Sequence, residues 1–400
     1  MTRHVWSLLC IAVLCTTLTL GLWPFRAPRN GVTWQANHNG LRFDRDSTLI
    51  STGTFRAIHP RPNLEASLEI WLQPTRIWDY GTFLAFYRPT NLFQFQLRQR
   101  QTDLVLQTVA DQDCHGNATL RVENVFYKSR PAFITITSGV KVAAIYVDGI
   151  LREVKPHYPI CAADFAGQLV LGDSPGQSDS WKGQLLGLAI YGRQLDATQV
   201  VRNYATWRNT GRPELTNDED NLALYLFDER LGTVVHDKSR SGVDLYIPAK
   251  YQVMSKIFLE PFWNEFSMAR SYWSAALKNI IGFIPFGICF YAYLSGVPSI
   301  KRALLLTVVL GTATSFTIEL LQGFLPTRDS GMTDIITNTL GTCIGAFSYH
   351  LLAPPLALFV PWFPLPSRLS SPLLQPTSRL AGSNSRTPSG TRYGDHNRPF

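Results

Sequence analysis

The chain has 400 residues, 45% of them hydrophobic and 16% charged, and a formal net charge of +8. That length suits two domains better than one. Much of the positive excess sits in the last stretch, where Arg368, Arg379, Arg386, Arg392 and Arg398 face only Asp395, so the charge marks no nucleic-acid-binding surface. The apolar residues are bunched in runs at Val5–Trp23, Asn279–Gly296 and Ala303–Phe324, with a fourth from Asp334 to about Leu352. Each run is near the ~20 residues that cross a hydrocarbon core.

Residues 1–30 open with Arg3 and His4 and continue into the first apolar run. The run has no clear small-x-small cleavage pattern, and Leu9 and Leu14 stand where a lipobox needs a small residue. An uncleaved transmembrane anchor is therefore expected, with a signal peptide as the alternative.

Residues 31–253 change pattern to short alternating strands separated by turn residues. Leu68–Leu72, Phe93–Leu97, Phe133–Thr137, Val142–Val147, Ile150–Val154, Gln168–Gly172 and Leu185–Tyr191 are strand candidates. Asp148-Gly149 between two alternating runs is a strong hairpin signal. Many short strands with few helical stretches predict an all-β sandwich. Asn221–Glu229 and Ser239–Ile247 are candidates for its last strands. Cys114 and Cys161 are the two cysteines of this polar segment and a candidate disulfide. Cys10, Cys15, Cys289 and Cys343 fall in apolar runs and read as small buried hydrophobes. Asp173 and Asp179 flank a Gly/Ser-rich loop and form a calcium candidate; no other cofactor and no other metal site is expected. Trp71, Trp78, Tyr80 and Trp181 are candidates for stacking on sugar rings. Asp218-Glu219-Asp220 is a consecutive acidic run, which cannot present the one-faced alternating acids of a glycan-cleaving strand. Asn117-Ala118-Thr119 matches a glycosylation sequon.

This segment resembles the laminin-G-like, concanavalin A-like lectin/glucanase superfamily. The likeness rests on Leu41-Arg42-Phe43-Asp44, Ala66–Leu72, Ile145–Gly149, Leu169–Gly172, Trp181-Lys182-Gly183 and Leu188–Leu195. It implies a sandwich that binds a glycan or another ligand; the cleaving branch of the superfamily needs acids that this chain does not show on one strand.

In residues 254–278, Phe258, Leu259, Phe262, Trp263, Phe266 and Trp273 recur at mixed three- and four-residue steps. That spacing predicts an amphipathic helix lying at the membrane interface. Residues 279–353 hold the later spans, giving a transmembrane bundle of about four. Glu319 and Gln322 share one helix face and Asp334 and Asn338 share another. Gly341 and Gly345 form a small-xxx-small pair that lets helices approach closely in lipid. A carboxylate within such a run costs roughly 2.5–3.5 kcal/mol on insertion scales, and so marks a candidate functional site. Residues 354–400 form a basic tail, Pro/Ser/Arg-rich from Pro364 onward, in which disorder is expected.

Lys301, Arg302 and the arginines of the tail place that loop and both termini in the cytoplasm by the positive-inside rule. The sandwich and the loop 325–333 then lie outside. Asn279, Glu319, Gln322, Arg328, Asp329, Asp334 and Asn338 would share the depth of the outer leaflet, with Arg328 neutralising Glu319 or Asp334. The cluster is either a polar pocket or a set of bonds that locks helices together.

The spans resemble the VanZ-like membrane family. The matching residues are Asn279–Gly287, Ile318–Gln322, Pro326, Arg328, Asp334-Ile335-Ile336 and Asn338–Gly341. The resemblance implies a polytopic membrane protein whose first two spans are separated here by the inserted sandwich. One member type of that family is linked to glycopeptide (teicoplanin) resistance, and no chemistry is carried over. The expectation is an integral membrane protein of the cell envelope that binds a glycan or protein ligand and touches membrane lipid. An enzyme or lipid-handling role for the polar cluster, or a bare scaffold, are the alternatives.

Overall fold

The structure, a computed structural model, describes residues 2–359 apart from 56–64, 110–117, 129, 141, 159, 177–178, 214–220, 267 and 269. Cys114, Asn117, the acidic run 218–220 and the tail beyond 359 lie outside the described residues. The chain forms one long helix, then an antiparallel sandwich, then a helical bundle.

The first helix, α1, runs Thr2–Leu22. Two sheets follow. One is ordered β1 (Val32–Trp34), β2 (Leu41–Phe43), β13 (Gly183–Tyr191), β4 (Ala66–Pro74), β9 (Ala132–Ser138), β10 (Val142–Val147), β11 (Ile150–Pro156), with β14 (Asn221–Tyr225) also paired to β13. The other is ordered β15 (Val234–Val235), β16 (Leu245–Tyr246), β3 (Leu49–Ser51), β12 (Gln168–Leu171), β5 (Tyr80–Arg88), β6 (Asn91–Arg100), β7 (Asp103–Thr108), β8 (Ala118–Val122).

Alternation sets the layers. Leu68, Ile70 and Leu72 of β4 are fully buried and pair with Ile136, Ile134 and Ala132 of β9, so their shared face fills the space between the sheets. The opposite face carries Glu69, Trp71, Phe133, Ala189 and Tyr191, and it too is covered. The cover is α2, Ala197–Thr210, which seats Val200 and Trp207 on that face. Asp196 caps its start by accepting from the Gln199 N–H at 2.8 Å, and the Gln199 side chain accepts in return from the Asp196 N–H at 3.0 Å. Gly211 ends it in the left-handed conformation at φ 70, a stop for which glycine has no Cβ penalty. The few helical stretches expected of this segment thus include one that seals a sheet face. The Asp148-Gly149 turn joins β10 to β11 as expected, with both residues at positive φ, 53 and 74.

The bundle holds α4 (Arg270–Ser295), α5 (Ala303–Gln322) and α6 (Met332–Phe359), after the short α3 (Phe262–Glu265). Glycines set its spacing. A β-carbon at Gly341 or Gly345 would collide with the carbonyl of Ile280 or Ile284, and one at Gly287 with the carbonyl of Thr342. α4 and α6 therefore touch backbone to backbone, the close approach that small residues allow in lipid. α1 packs Val13, Leu14, Leu18 and Leu22 on Phe283, Phe286 and Ile318.

Among the described residues three helices, Arg3–Leu22, Tyr272–Ser295 and Ala303–Gln322, are long and apolar enough to cross a membrane. The fourth expected span lies on α6, whose first turns carry Thr333, Asp334, Thr337 and Asn338 and which runs on to Phe359.

Residues 254–278 are not one amphipathic helix. Only Phe262–Glu265 is a separate helix, and the segment from Arg270 belongs to α4. Its first part is an extended strap. The Ser255 and Ile257 N–H groups donate to Pro175 and Gly176 of the sandwich at 2.9 and 3.2 Å. On its other side Glu260 exchanges backbone bonds with the α5–α6 loop, its N–H to Ser330 and its carbonyl to the Met332 N–H, both at 2.9 Å. Pairing with two fixed partners satisfies backbone groups that a helix would satisfy internally. The exposed aromatics Phe258, Phe262, Trp263, Phe266 and Trp273 remain on this segment at one end of the bundle.

Candidate functional site

A cavity of about 410 Å³ lies between α1, α4, α5 and α6. Six of the membrane-domain candidates of the sequence line it: Asn279 on α4, Glu319 and Gln322 on α5, Arg328 in the loop, and Asp334 and Asn338 on α6; Asp329 does not, and Lys278 on α4 joins them. Ala12, Val13, Thr16, Thr17, Leu20 and Gly21 of α1 supply the remaining wall. The spacing rules explain the convergence, since Glu319 and Gln322 lie one turn apart on α5, as Asp334 and Asn338 do on α6.

Several of these side chains are held by bonds between elements. The Asn279 amide donates to Asp334 Oδ1 at 2.7 Å, and the Asn338 amide to Ser315 Oγ at 2.9 Å. Gln322 Nε2 donates to the Gly21 carbonyl at 2.8 Å. Glu319, 1% exposed, accepts from the Gly331 N–H at 2.9 Å. Glu265 accepts from the Thr333 N–H, also at 2.9 Å. Two carboxylates thus hold the start of α6, where helix N–H groups lack internal partners and negative charge is favoured. Glu265 is a participant that the sequence reading passed over. Its signal is an acid beside a Gly-Met-Thr-Asp helix start, far away in sequence.

The hydrogen bonds of Arg328 go to backbone carbonyls and not to the carboxylates of the cavity. Its guanidinium donates to the Trp23 carbonyl at 2.9 and 2.6 Å and to that of Leu20 at 3.3 Å. Those are the unsatisfied carbonyls at the C-terminal end of α1, which attract a cation. Arg328 and Gln322 therefore fasten α1 to the rest of the bundle.

Two acceptors remain open. Gln322 Oε1 and Asn338 Oδ1 are buried and have no hydrogen-bond partner among the described residues, on side chains only 7% and 5% exposed. An orphaned buried acceptor costs about 1–3 kcal/mol. The cavity interior is therefore rich in acceptors, and Lys278 and Arg328 are the cations in its lining. Such a site favours a guest that carries donors.

The strap adds two ionisable groups outside the spans. Lys256 Nζ donates to the carbonyl of Gln322 at 2.8 Å and to that of Leu325, at the end of α5. Burial lowers its basicity. Burial, with the neighbouring Glu265 charge next, raises the Glu260 carboxyl.

In the sandwich the candidates separate. Trp78 and Tyr80 are exposed, 66% and 55%, while Trp71 is half-buried beside the face that α2 covers. Trp181 is fully buried; its indole donates to Gln99 Oε1 at 2.8 Å and its ring packs on Phe43 and Phe83. It is a core residue and cannot stack on a sugar. Asp173 and Asp179 do not form an open calcium cradle. Asp173 accepts from the N–H groups of Ser174 and Asp179 at 2.7 Å, from Ser180 Oγ at 2.9 Å and from the Tyr251 hydroxyl. Asp179 pairs with Arg98 at 2.9 Å and accepts from Thr82 Oγ1 at 2.6 Å. Their oxygens order the loop and dock the strap, and no group of metal-binding side chains occurs among the described residues. Burial pushes the Asp173 carboxyl up to about 7. Cys161 is disulfide-bonded; Cys114, the partner expected for it, lies outside the described residues.

A second buried carboxylate, Glu69, was not singled out by sequence. It accepts from the Tyr191 hydroxyl at 2.8 Å, Asn203 Nδ2 at 3.0 Å and Trp207 Nε1 at 3.1 Å. Two of those donors are on α2, so Glu69 pins that helix to the sheet.

Comparison with known proteins gives two family matches. Residues 230–353 match the VanZ/LLP1 model, and residues 47–201 match the concanavalin A-like lectin/glucanases superfamily. No curated protein matches the chain. Among solved structures, similarity is found to a provisionally assigned carbohydrate-binding protein of Bacteroides ovatus, with 13% identity and TM-score 0.36 over 52% of this chain and 57% of that one. The receptor-binding domain of botulinum neurotoxin type G gives 12% identity and TM-score 0.33, over 44% of this chain and 45% of the other. The binding domain of Paraclostridial Mosquitocidal Protein 1 gives 13% and 0.35, over 46% and 48%. The chain spans about half the length of these structures.

Proposed function

We propose that this chain, a VanZ-like membrane domain joined to a concanavalin A-like sandwich, binds the polar head of an amphiphile in its bundle cavity. The sandwich stands outside the membrane as the module that recognises an envelope glycan. The single observation that carries the first part is the pair of buried, unpartnered acceptors, Gln322 Oε1 and Asn338 Oδ1, in a cavity that also holds Glu319 and Asp334. Hydroxyl or ammonium groups of a lipid head supply the donors those oxygens lack. The exposed aromatics of the strap and α3 support a location at headgroup depth, where Trp and Phe rings are favoured. The orientation rests on Lys301, Arg302 and the arginines beyond residue 359. Binding is favoured over catalysis, because Glu319 already spends an oxygen on the Gly331 N–H and Asp334 one on Asn279.

The second reading, glycan recognition by the sandwich, is supported by the superfamily match and by Trp78 and Tyr80 lying open on its surface. Tolerance of glycopeptides such as teicoplanin would be one cellular outcome of the two activities together.

The test is complementation of a strain that lacks the protein, under challenge with envelope-targeting antibiotics. Glu319→Gln and Asp334→Asn should accumulate normally and fail to restore tolerance. Full restoration by both variants at normal levels would overturn the proposal, and failure of both to accumulate would leave the cluster a purely structural lock.

A further inference from the structure

A second site lies on the sandwich, away from Trp78 and Tyr80 and unrelated to the bundle cavity. Two adjoining hollows of about 320 and 260 Å³ share Arg130, Asp148 and Tyr204 and so form one cleft. The first adds Lys128 and Arg152, and the second adds Trp71 and Arg208. Four cations therefore face a single carboxylate.

That carboxylate is already engaged. Asp148 accepts from the Phe133 N–H at 3.0 Å and from the Arg130 guanidinium at 3.3 Å. It fixes Arg130 at the centre of the cleft while leaving most of that guanidinium's five donors free for a guest. The floor is aromatic. Tyr204 lies against Gly149 of the β10–β11 turn and 5.7 Å from the Phe133 ring. Trp71 is half-buried beside them.

The positions of Tyr204 and Arg208 are set by α2, which Glu69 pins to the sheet through Asn203 and Trp207. Three separate elements thus deliver cations to one hollow: the loop before β9, strand β11 and helix α2. Ring faces and guanidinium forks together match one ligand class. The rings stack on the apolar face of a sugar, and the forks take up a planar carboxylate or a phosphate in two-point contact.

We infer that this cleft binds an anionic carbohydrate, a sugar chain carrying carboxylate or phosphate groups. It names the class of glycan for the sandwich and rests on the reading that the sandwich is a recognition module. It places the anionic glycan on the face beside α2, a site separate from the Trp78–Tyr80 edge.

The experiment uses the full chain in lipid nanodiscs and measures binding by calorimetry. The probes are an oligogalacturonate, the same oligomer with its carboxylates methyl-esterified, and a glycerol-phosphate oligomer. The acidic sugar should bind and its neutral ester should bind at least roughly tenfold more weakly, since charge-assisted contacts are lost. The doubly substituted Arg130→Ala/Arg208→Ala protein should lose about as much, whereas Arg100→Ala, a charge change on β6 outside the cleft, should not. Affinity should fall as salt is raised. Binding of the glycerol-phosphate oligomer alone assigns phosphate as the anion and removes the sugar from the proposal, which then fails as stated. Equal binding of acid and ester, or no effect of the arginine substitutions, overturns the cleft while leaving glycan recognition at Trp78 and Tyr80 standing. No binding of any neutral or acidic glycan defeats both.

Discussion

Replacing Glu69 tests whether one buried carboxylate holds α2, and with it the cleft, in place. Its Oε2 accepts from the Tyr191 hydroxyl at 2.8 Å and Trp207 Nε1 at 3.1 Å, and its Oε1 from Asn203 Nδ2 at 3.0 Å. Glu69→Ala strands three buried donors at about 1–3 kcal/mol each, so the loss should be several kcal/mol and α2 should undock. Glu69→Gln keeps one accepting oxygen for Asn203. Its new amide can donate to the Tyr191 oxygen, but Trp207 Nε1 can only donate. One orphan is left, and the cost should be about 1–3 kcal/mol.

The pH dependence distinguishes a carboxyl from a mere filler. Burial lifts Glu69 to about 7, against the lowering effect of its three donors. A carboxyl whose folded pKa exceeds its unfolded value binds its proton more tightly when folded. Its favourable contribution is complete below the unfolded pKa, near 4, and is lost as pH rises through 7; the change is roughly 3 kcal/mol. Asp173, also raised by burial to about 7, acts in the same direction. Chemical denaturation of the detergent-solubilised chain, followed by tryptophan fluorescence, should show the sandwich less stable at pH 8 than at pH 5. Glu69→Gln should be costly at pH 5 and much less so at pH 8. An unchanged pH slope in Glu69→Gln, or an alanine variant no worse than the glutamine one, would refute the reasoning.

Two further outcomes follow from the same contacts. Gly341→Val puts a side chain into the Ile280 carbonyl, which is backbone and cannot yield as a side chain would. Unfolding of the bundle in mixed detergent–SDS titrations should show a loss of about 1–3 kcal/mol or more, and no loss would mean that α4 and α6 are not in backbone contact. Lys256→Met removes the donor to the Gln322 and Leu325 carbonyls and should cost about 1–3 kcal/mol. Limited proteolysis should then cut the strap between residues 251 and 262 much faster than in the unaltered chain; equal rates would show that the lysine does not fasten it.

The sandwich was legible because its inner face repeats at every second residue. Leu68, Ile70 and Leu72 announce a strand whatever lies on the other side. The helix α2 was not, although Asp196, Gln199 and Gly211 are a start and a stop signal, because the face that Val200 and Trp207 cover carries Glu69, whose charge gives no sign of a cover. The polar cluster was legible in part. Helical spacing places Glu319 with Gln322 and Asp334 with Asn338, and the cost of polarity in lipid makes them meet. What Arg328 does was not legible: the nearest acids by sequence suggested a salt bridge, while the carbonyls it caps belong to α1, some 300 residues away. Trp181 shows the same limit. An aromatic in a Gly/Ser-rich surrounding reads as exposed, and only the sheet packing on Phe43 and Phe83 makes it core.

The central claim is that the orphaned acceptors of the bundle cavity hold a lipid head. Native mass spectrometry of the full chain, released from a mild detergent, tests it without knowing the lipid. The unaltered protein should retain an adduct of lipid mass, and Asn338→Leu, monodisperse and purified in the same way, should lose most of it. Equal adducts on both proteins, or a bare chain in each, would contradict the claim.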